Sequence, residues 1–157
     1  MSANTFSARL RALGLDLPGI NPPRGSYVPS VRAGDLLFIA GQAPRLDGVL
    51  QFEGRVGRDL DVEAGQRAAR LCGLNVLAHL AQACDDDLER VAGFVRVAGV
   101  VNCAEDFKAH AQVLDGASNL FADVLGERGR HVRIATGASS LPSGMAVEVE
   151  AIVQLRT

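Results

Sequence analysis

The run Val147-Glu148-Val149-Glu150-Ala151-Ile152-Val153 constrains the fold more than any other stretch. Valines and an alanine alternate with two glutamates and an isoleucine, the period-two pattern of a strand with one buried face. Upstream, Arg133-Ile134-Ala135 starts a second β-type run, and the Gly/Ser/Pro-rich residues 137–144 connect the two. This order predicts two paired strands with Arg133 and Glu148 on one face at the sheet end. Such charges either neutralise each other in a subunit interface or form a site for a small polar molecule. Structural ion pairs are common, so the pattern alone favours the interface.

The rest of the chain supplies the partners for these strands. Residues 4–14 read as a short helix capped by Asn4 or Thr5, with Phe6, Leu10 and Leu13 on one face and Gly14 ending it. With the prolines at 18, 22 and 23 they form an N-terminal extension, residues 1–24, ahead of a single domain over 25–157. Residues 27–42 read as a hairpin turning at Ala33-Gly34-Asp35. Pro29 places its first arm at an edge, and Leu36–Ile39 suits a central strand. Asp47-Gly48 marks a second tight turn.

Residues 61–84 have helical spacing of Val62, Leu71, Leu74, Leu77, Leu80 and Cys84, with Asp59 or Asp61 as cap. Val91–Val101 reads as an interior strand, and a second helix is expected from Glu105 to about Leu125, kinked at Gly116. Two long helices and one mixed sheet predict an α+β two-layer sandwich covered on one face. The other face, expected to carry Glu148, Glu150, Ile152 and Leu37 or Ile39, is too apolar for bare solvent. A homo-oligomer follows.

Charge and composition exclude several classes. The formal charge is −2, so no global basic field attracts nucleic acid. One Tyr and no Trp leave little to stack on bases. Cys72, Cys84 and Cys103 fit neither a disulfide framework nor a zinc pattern, which favours reduced thiols in a cytoplasm. No apolar run approaches the roughly 18 residues a membrane span needs. His79 and His110 have no ligand-like companion one helical turn away, so a metal site has little support. His131 stands two residues from Arg133 and is the histidine placed to share its face. Cys103 has no flanking base in the sequence that would activate it. Tyr27 either seals a pocket or is an ordinary strand residue, and Gly41-Gln42 lies at a strand end with accessible backbone.

Gly34-Asp35-Leu36-Leu37-Phe38-Ile39-Ala40-Gly41-Gln42-Ala43-Pro44, Asn75-Val76-Leu77, Arg133, Leu141-Pro142 and Val147-Glu148-Val149-Glu150-Ala151 together resemble the RidA family, also called YjgF or L-PSP-like proteins. The resemblance implies a chorismate-mutase-like homotrimer with sites in clefts between subunits and no metal or cofactor. It also implies hydrolytic deamination of reactive 2-enamine and 2-imino acids to 2-keto acids and ammonia. By it, Arg133 clamps the substrate carboxylate and Glu148 positions the attacking water. Tyr27 walls the cleft, and the backbones of Gly41 and Ala135 touch substrate. Ala40 stands where deaminating members carry a serine, Ala135 where a cysteine is common, and Asp115 near the family's asparagine. Two further readings remain open. One is a non-catalytic trimer that binds or senses small carboxylates, and the weaker one is the endoribonuclease activity ascribed to some relatives.

Overall fold

The computed structural model describes residues 4–157. The alternating run forms strand β7 (Val147–Leu155), whose valines, Ala151 and Leu155 are buried while Glu150 and Gln154 are exposed. It occupies the middle of a five-stranded sheet ordered β1-β2-β7-β5-β6, made with β1 (Ser30–Ala33), β2 (Leu36–Gln42), β5 (Val91–Asn102) and β6 (Val132–Ala138). Only β5 and β6 run parallel, and the remaining pairs are antiparallel. The edge position of β1 agrees with Pro29, which has no N–H to give; its carbonyl accepts from the Ala40 amide at 2.9 Å. A small hairpin, β3 (Arg45–Leu46) and β4 (Val49–Leu50), turns through Asp47 and Gly48, both with positive φ.

One expectation fails here. Arg133 and Glu148 do not sit on paired strands, because β5 lies between β6 and β7. The register places Arg133 beside Val97 and Ala151, which face the buried core. Glu148 lies beside Val100 on the opposite face. Chain adjacency suggested a hairpin, but α3 (His110–Leu125) carries the chain over from β5 to a parallel β6 instead. The connection after β6 then has to cross β5 to reach β7.

The helix layer consists of α2 (Val62–Ala83) and α3, packed against each other and on one sheet face. Asp61 caps α2 by accepting the Ala64 amide at 2.8 Å. Helix α3 starts at His110 rather than Glu105, and Gly116 does not kink it. A Cβ there would run into the backbone carbonyl of Gln66 on α2, so this glycine sets how closely the two helices approach. The leading helix, α1 (Phe6–Ala12), is capped by Thr5 and buries Phe6 and Leu10 in the common core, while Leu13 stays exposed. Arg9 fastens it to α3 through the carbonyls of Asp123 and Val124.

The uncovered face is apolar, as expected, with one exchange of residues. Leu37 and Ile39 point into the core, and Phe38 is the β2 residue that points out. Val31, Phe38, Ile152, Val132 and Ile134 share this face, alongside an Arg96–Glu150 ion pair at 3.3 Å. Among the described residues, no helix is long and apolar enough to cross a membrane.

Candidate functional site

Two groups of site residues stand apart within the chain. The first lines a cleft of about 530 Å³. Tyr27, Ala40, Gly41 and Glu148 are among its walls. Gly41 sits against the Glu148 side chain so closely that any added Cβ would collide with the carboxylate. Burial pushes the Glu148 carboxyl above its ordinary value, and the charge of Glu150 two residues along the same face adds to this. The result is a carboxylate more basic than usual, beside accessible backbone. The Tyr27 hydroxyl accepts the Arg24 amide at 3.4 Å, which holds the ring at the cleft wall.

The second group gathers around Arg133 on the helix side of β6. Its Nη1 donates to Asp115 Oδ1 at 2.9 Å and to Ser118 Oγ at 3.0 Å, and its Nη2 to the Ala111 carbonyl at 3.2 Å. His131 does not project freely towards a ligand. Its Nδ1 lies 2.7 Å from the Gly129 carbonyl, and its Nε2 lies 2.8 Å from Ser118 Oγ. A neutral ring carrying its proton on Nδ1 satisfies the whole chain. Arg133 donates to Ser118, Ser118 to Nε2, and Nδ1–H to Gly129. Ala135 sits two residues along β6 on the Arg133 side and packs against the core.

Burial lowers the His131 pKa, as does the Arg133 charge nearby, and burial also lowers that of His79. A folded-state value below the unfolded one, about 6.5, means that the neutral ring stabilises the fold above that pH. That stability is lost as pH falls from about 6.5 towards the depressed value. Urea midpoints of wild type and His131→Gln are therefore expected to converge between pH 7.5 and 5.5. A gap that stays constant would rule this contribution out.

Several contributors were not legible in the sequence. Asn21, Arg24 and Arg45 line the Glu148 cleft, so the extension forms part of its wall. Asn75 is buried on α2 and gives its amide to the carbonyls of Ala43 and Arg45, both at 2.9 Å, while Asn21 donates to its Oδ1 at 3.1 Å. Cys103 does have a base nearby: His110 Nε2 lies 3.5 Å from its Sγ, seven residues on and brought back by the loop before α3. Among the described residues, no group of three or more His, Cys, Asp or Glu side chains is placed to hold a metal ion.

Comparison with known proteins identifies the family. The family model described as "YjgF/chorismate mutase-like, putative endoribonuclease" matches residues 7–154. The chain belongs to that family. Protein TCP17 of Trypanosoma cruzi is 40% identical over 156 residues, covering 99% of this chain and 97% of its own. Atu1372 from Agrobacterium tumefaciens superposes with a TM-score of 0.90 at 42% identity, over 96% of this chain and 92% of its own. The YjgF-type fold extends to Escherichia coli TdcF, solved with bound serine, at a TM-score of 0.60 and 21% identity over 88% of this chain and 94% of TdcF.

Proposed function

We propose that this YjgF-family protein hydrolyses small 2-imino acids to 2-keto acids and ammonia, in sites shared between the subunits of a trimer. The observation that carries this reading is the Glu148 carboxyl, held against Gly41 in a cleft and made more basic by burial. Imine carbon is electrophilic, so a positioned water and a base supply most of what hydrolysis needs. Glu148 takes a proton from water as the oxygen bonds to the imine carbon, and passes that proton to the nitrogen to give the neutral carbinolamine. Glu148 then removes the hydroxyl proton as the C–O bond becomes a carbonyl and the C–N bond breaks, and it delivers that proton to the departing nitrogen, which leaves as ammonia. Water is consumed, and no redox partner takes part.

Arg133 is the carboxylate clamp in this reading, its guanidinium being a two-pronged donor. Because it lies across the sheet from Glu148, each site takes Arg133 from one subunit and Glu148 from its neighbour. The apolar face of Val31, Phe38, Val132, Ile134 and Ile152 is the surface that assembly would cover. His131 and Ser118 position Arg133, and Asp115 holds its Nη1 until a ligand carboxylate arrives. TdcF, with serine bound, is a relative by fold whose ligand also carries a carboxylate.

A second reading has its own support. Ala40 brings no hydroxyl to the cleft, and Arg133 is already paired with Asp115, which suits a binder of small carboxylates that does no chemistry. A coupled assay separates the two. With 2-aminoacrylate generated in situ, the protein is expected to accelerate ammonia release over buffer. No acceleration together with measurable 2-keto acid binding would reject the hydrolase and leave the binder.

A further inference from the structure

The Glu148 cleft carries a feature that imine hydrolysis does not use. Arg24, from the extension, and Arg45, from β3, both line it. Arg24 Nη2 and Arg45 Nη1 each donate to the same acceptor, the Gly48 carbonyl, at 3.3 Å. The two guanidinium nitrogens therefore lie within twice that distance of each other. Among the described residues, neither arginine has a carboxylate in ion-pair reach. One neutral carbonyl is a weak substitute for a counter-ion between two like charges.

The pair is also anchored. Asn75 grips the Arg45 carbonyl from the buried side, and Asn21, three residues before Arg24, donates to Asn75. The Tyr27 hydroxyl holds the Arg24 amide. The Arg24 amide is thus tied to a residue of the cleft wall and the Arg45 carbonyl to a buried residue behind it, and the turn at Asp47-Gly48 supplies the carbonyl on which their tips converge. Two guanidinium groups converging on one carbonyl in the wall of a cavity offer several charged donors to an acidic group, at the side of the cleft they line.

We propose that Arg24 and Arg45 form an anion subsite and that the cleft takes small acids bearing a second carboxylate, remote from the reacting end. The volume points the same way. About 530 Å³ falls within the 300–1,000 Å³ typical of ligand pockets and leaves ample space around a three- or four-carbon monoacid. Only the identity of the reacting end, a 2-imino or 2-oxo acid, rests on the function proposed above. The subsite itself rests on the two arginines.

The test is calorimetric titration with 2-oxoglutarate and with 2-oxopentanoate, which has the same chain length and a single carboxylate. At low salt the diacid is expected to bind about tenfold more tightly, the gain of one charge-assisted hydrogen-bonded contact. The advantage should vanish in Arg24→Gln/Arg45→Gln, survive in part in Arg24→Lys/Arg45→Lys, and shrink for the wild type in 0.5 M salt. Equal affinities in the wild type, a preference that persists in the Gln double variant, or absence of diacid binding overturns the subsite. Should the Gln variant lose its fold by circular dichroism, the Lys variant and the wild-type salt series decide the matter on their own. Diacid binding that depends on both arginines, with no monoacid binding and no turnover, upholds the subsite while rejecting the imine-hydrolase reading.

Discussion

Glu148→Gln is expected to slow imine hydrolysis by about 10²–10⁴-fold, the usual contribution of a positioned general base, and at the same time to raise the melting temperature at pH 7–8. The two effects share one cause. Burial and the Glu150 charge both disfavour the ionised carboxylate, so the folded-state pKa lies above the unfolded value. A carboxylate shifted in that direction costs stability when ionised, at pH above its folded value. The cost fades as pH falls through that value, because the folded state takes up its proton first. The gain in melting temperature from Gln should therefore be largest near pH 8 and shrink towards pH 4. A decrease at pH 8 would mean that Glu148 is paired with a cation across the subunit boundary, and would favour the ion-pair interpretation over a site.

The second large effect concerns how a site is shared. In the proposed site, Arg133→Ala removes a two-pronged, charge-assisted clamp in which each hydrogen bond is worth about 1.5–3 kcal/mol. Ligand affinity and turnover should fall by about 10²-fold or more. Inactive Arg133→Ala and Glu148→Gln subunits, unfolded together and refolded at equal ratio, are expected to regain about a quarter of wild-type activity. In the proposed trimer each site needs an intact Glu148 from one subunit and an intact Arg133 from the next, and random cyclic assembly supplies each with a chance of one half. No recovery on mixing, with trimers confirmed by light scattering, would place both residues at a site within one chain. That result would contradict the strand order, which sets them on opposite faces of the sheet.

What the sequence disclosed followed the strength of each local signal. The alternation of β7 and the long apolar stripe of α2 have one sensible reading each, and both elements form as expected. The β2 run Leu36–Ile39 has no alternation, so it identified a strand without saying which residues face the core. Phe38 rather than Ile39 faces out, because the register against β7 is fixed by pairing. Arg133 and Glu148 were legible as residues worth attention, through charge on an otherwise apolar strand and through family spacing. Their relative placement was not, since it depends on a parallel crossover that inserts β5 between them. Arg24 and Arg45 carried no periodic or motif signal. They meet only because Asn75, deep on α2, ties two distant loops together.

The position of β7 also bears on how the molecule is made. It is the central strand, yet it follows all the others in the chain, and its pairing with β2 spans more than a hundred residues. Until it is synthesised, the β1–β2 hairpin and the β5-α3-β6 unit each present an unpaired edge with an apolar face beside it. Contacts of such long sequence separation form slowly, and exposed edges of this kind invite chaperone binding or aggregation during translation. Insertion of β7 joins the two halves of the sheet and delivers Glu148 to its cleft in the same step. The nascent chain thus acquires the Glu148 side of its cleft only when its last structural gap closes.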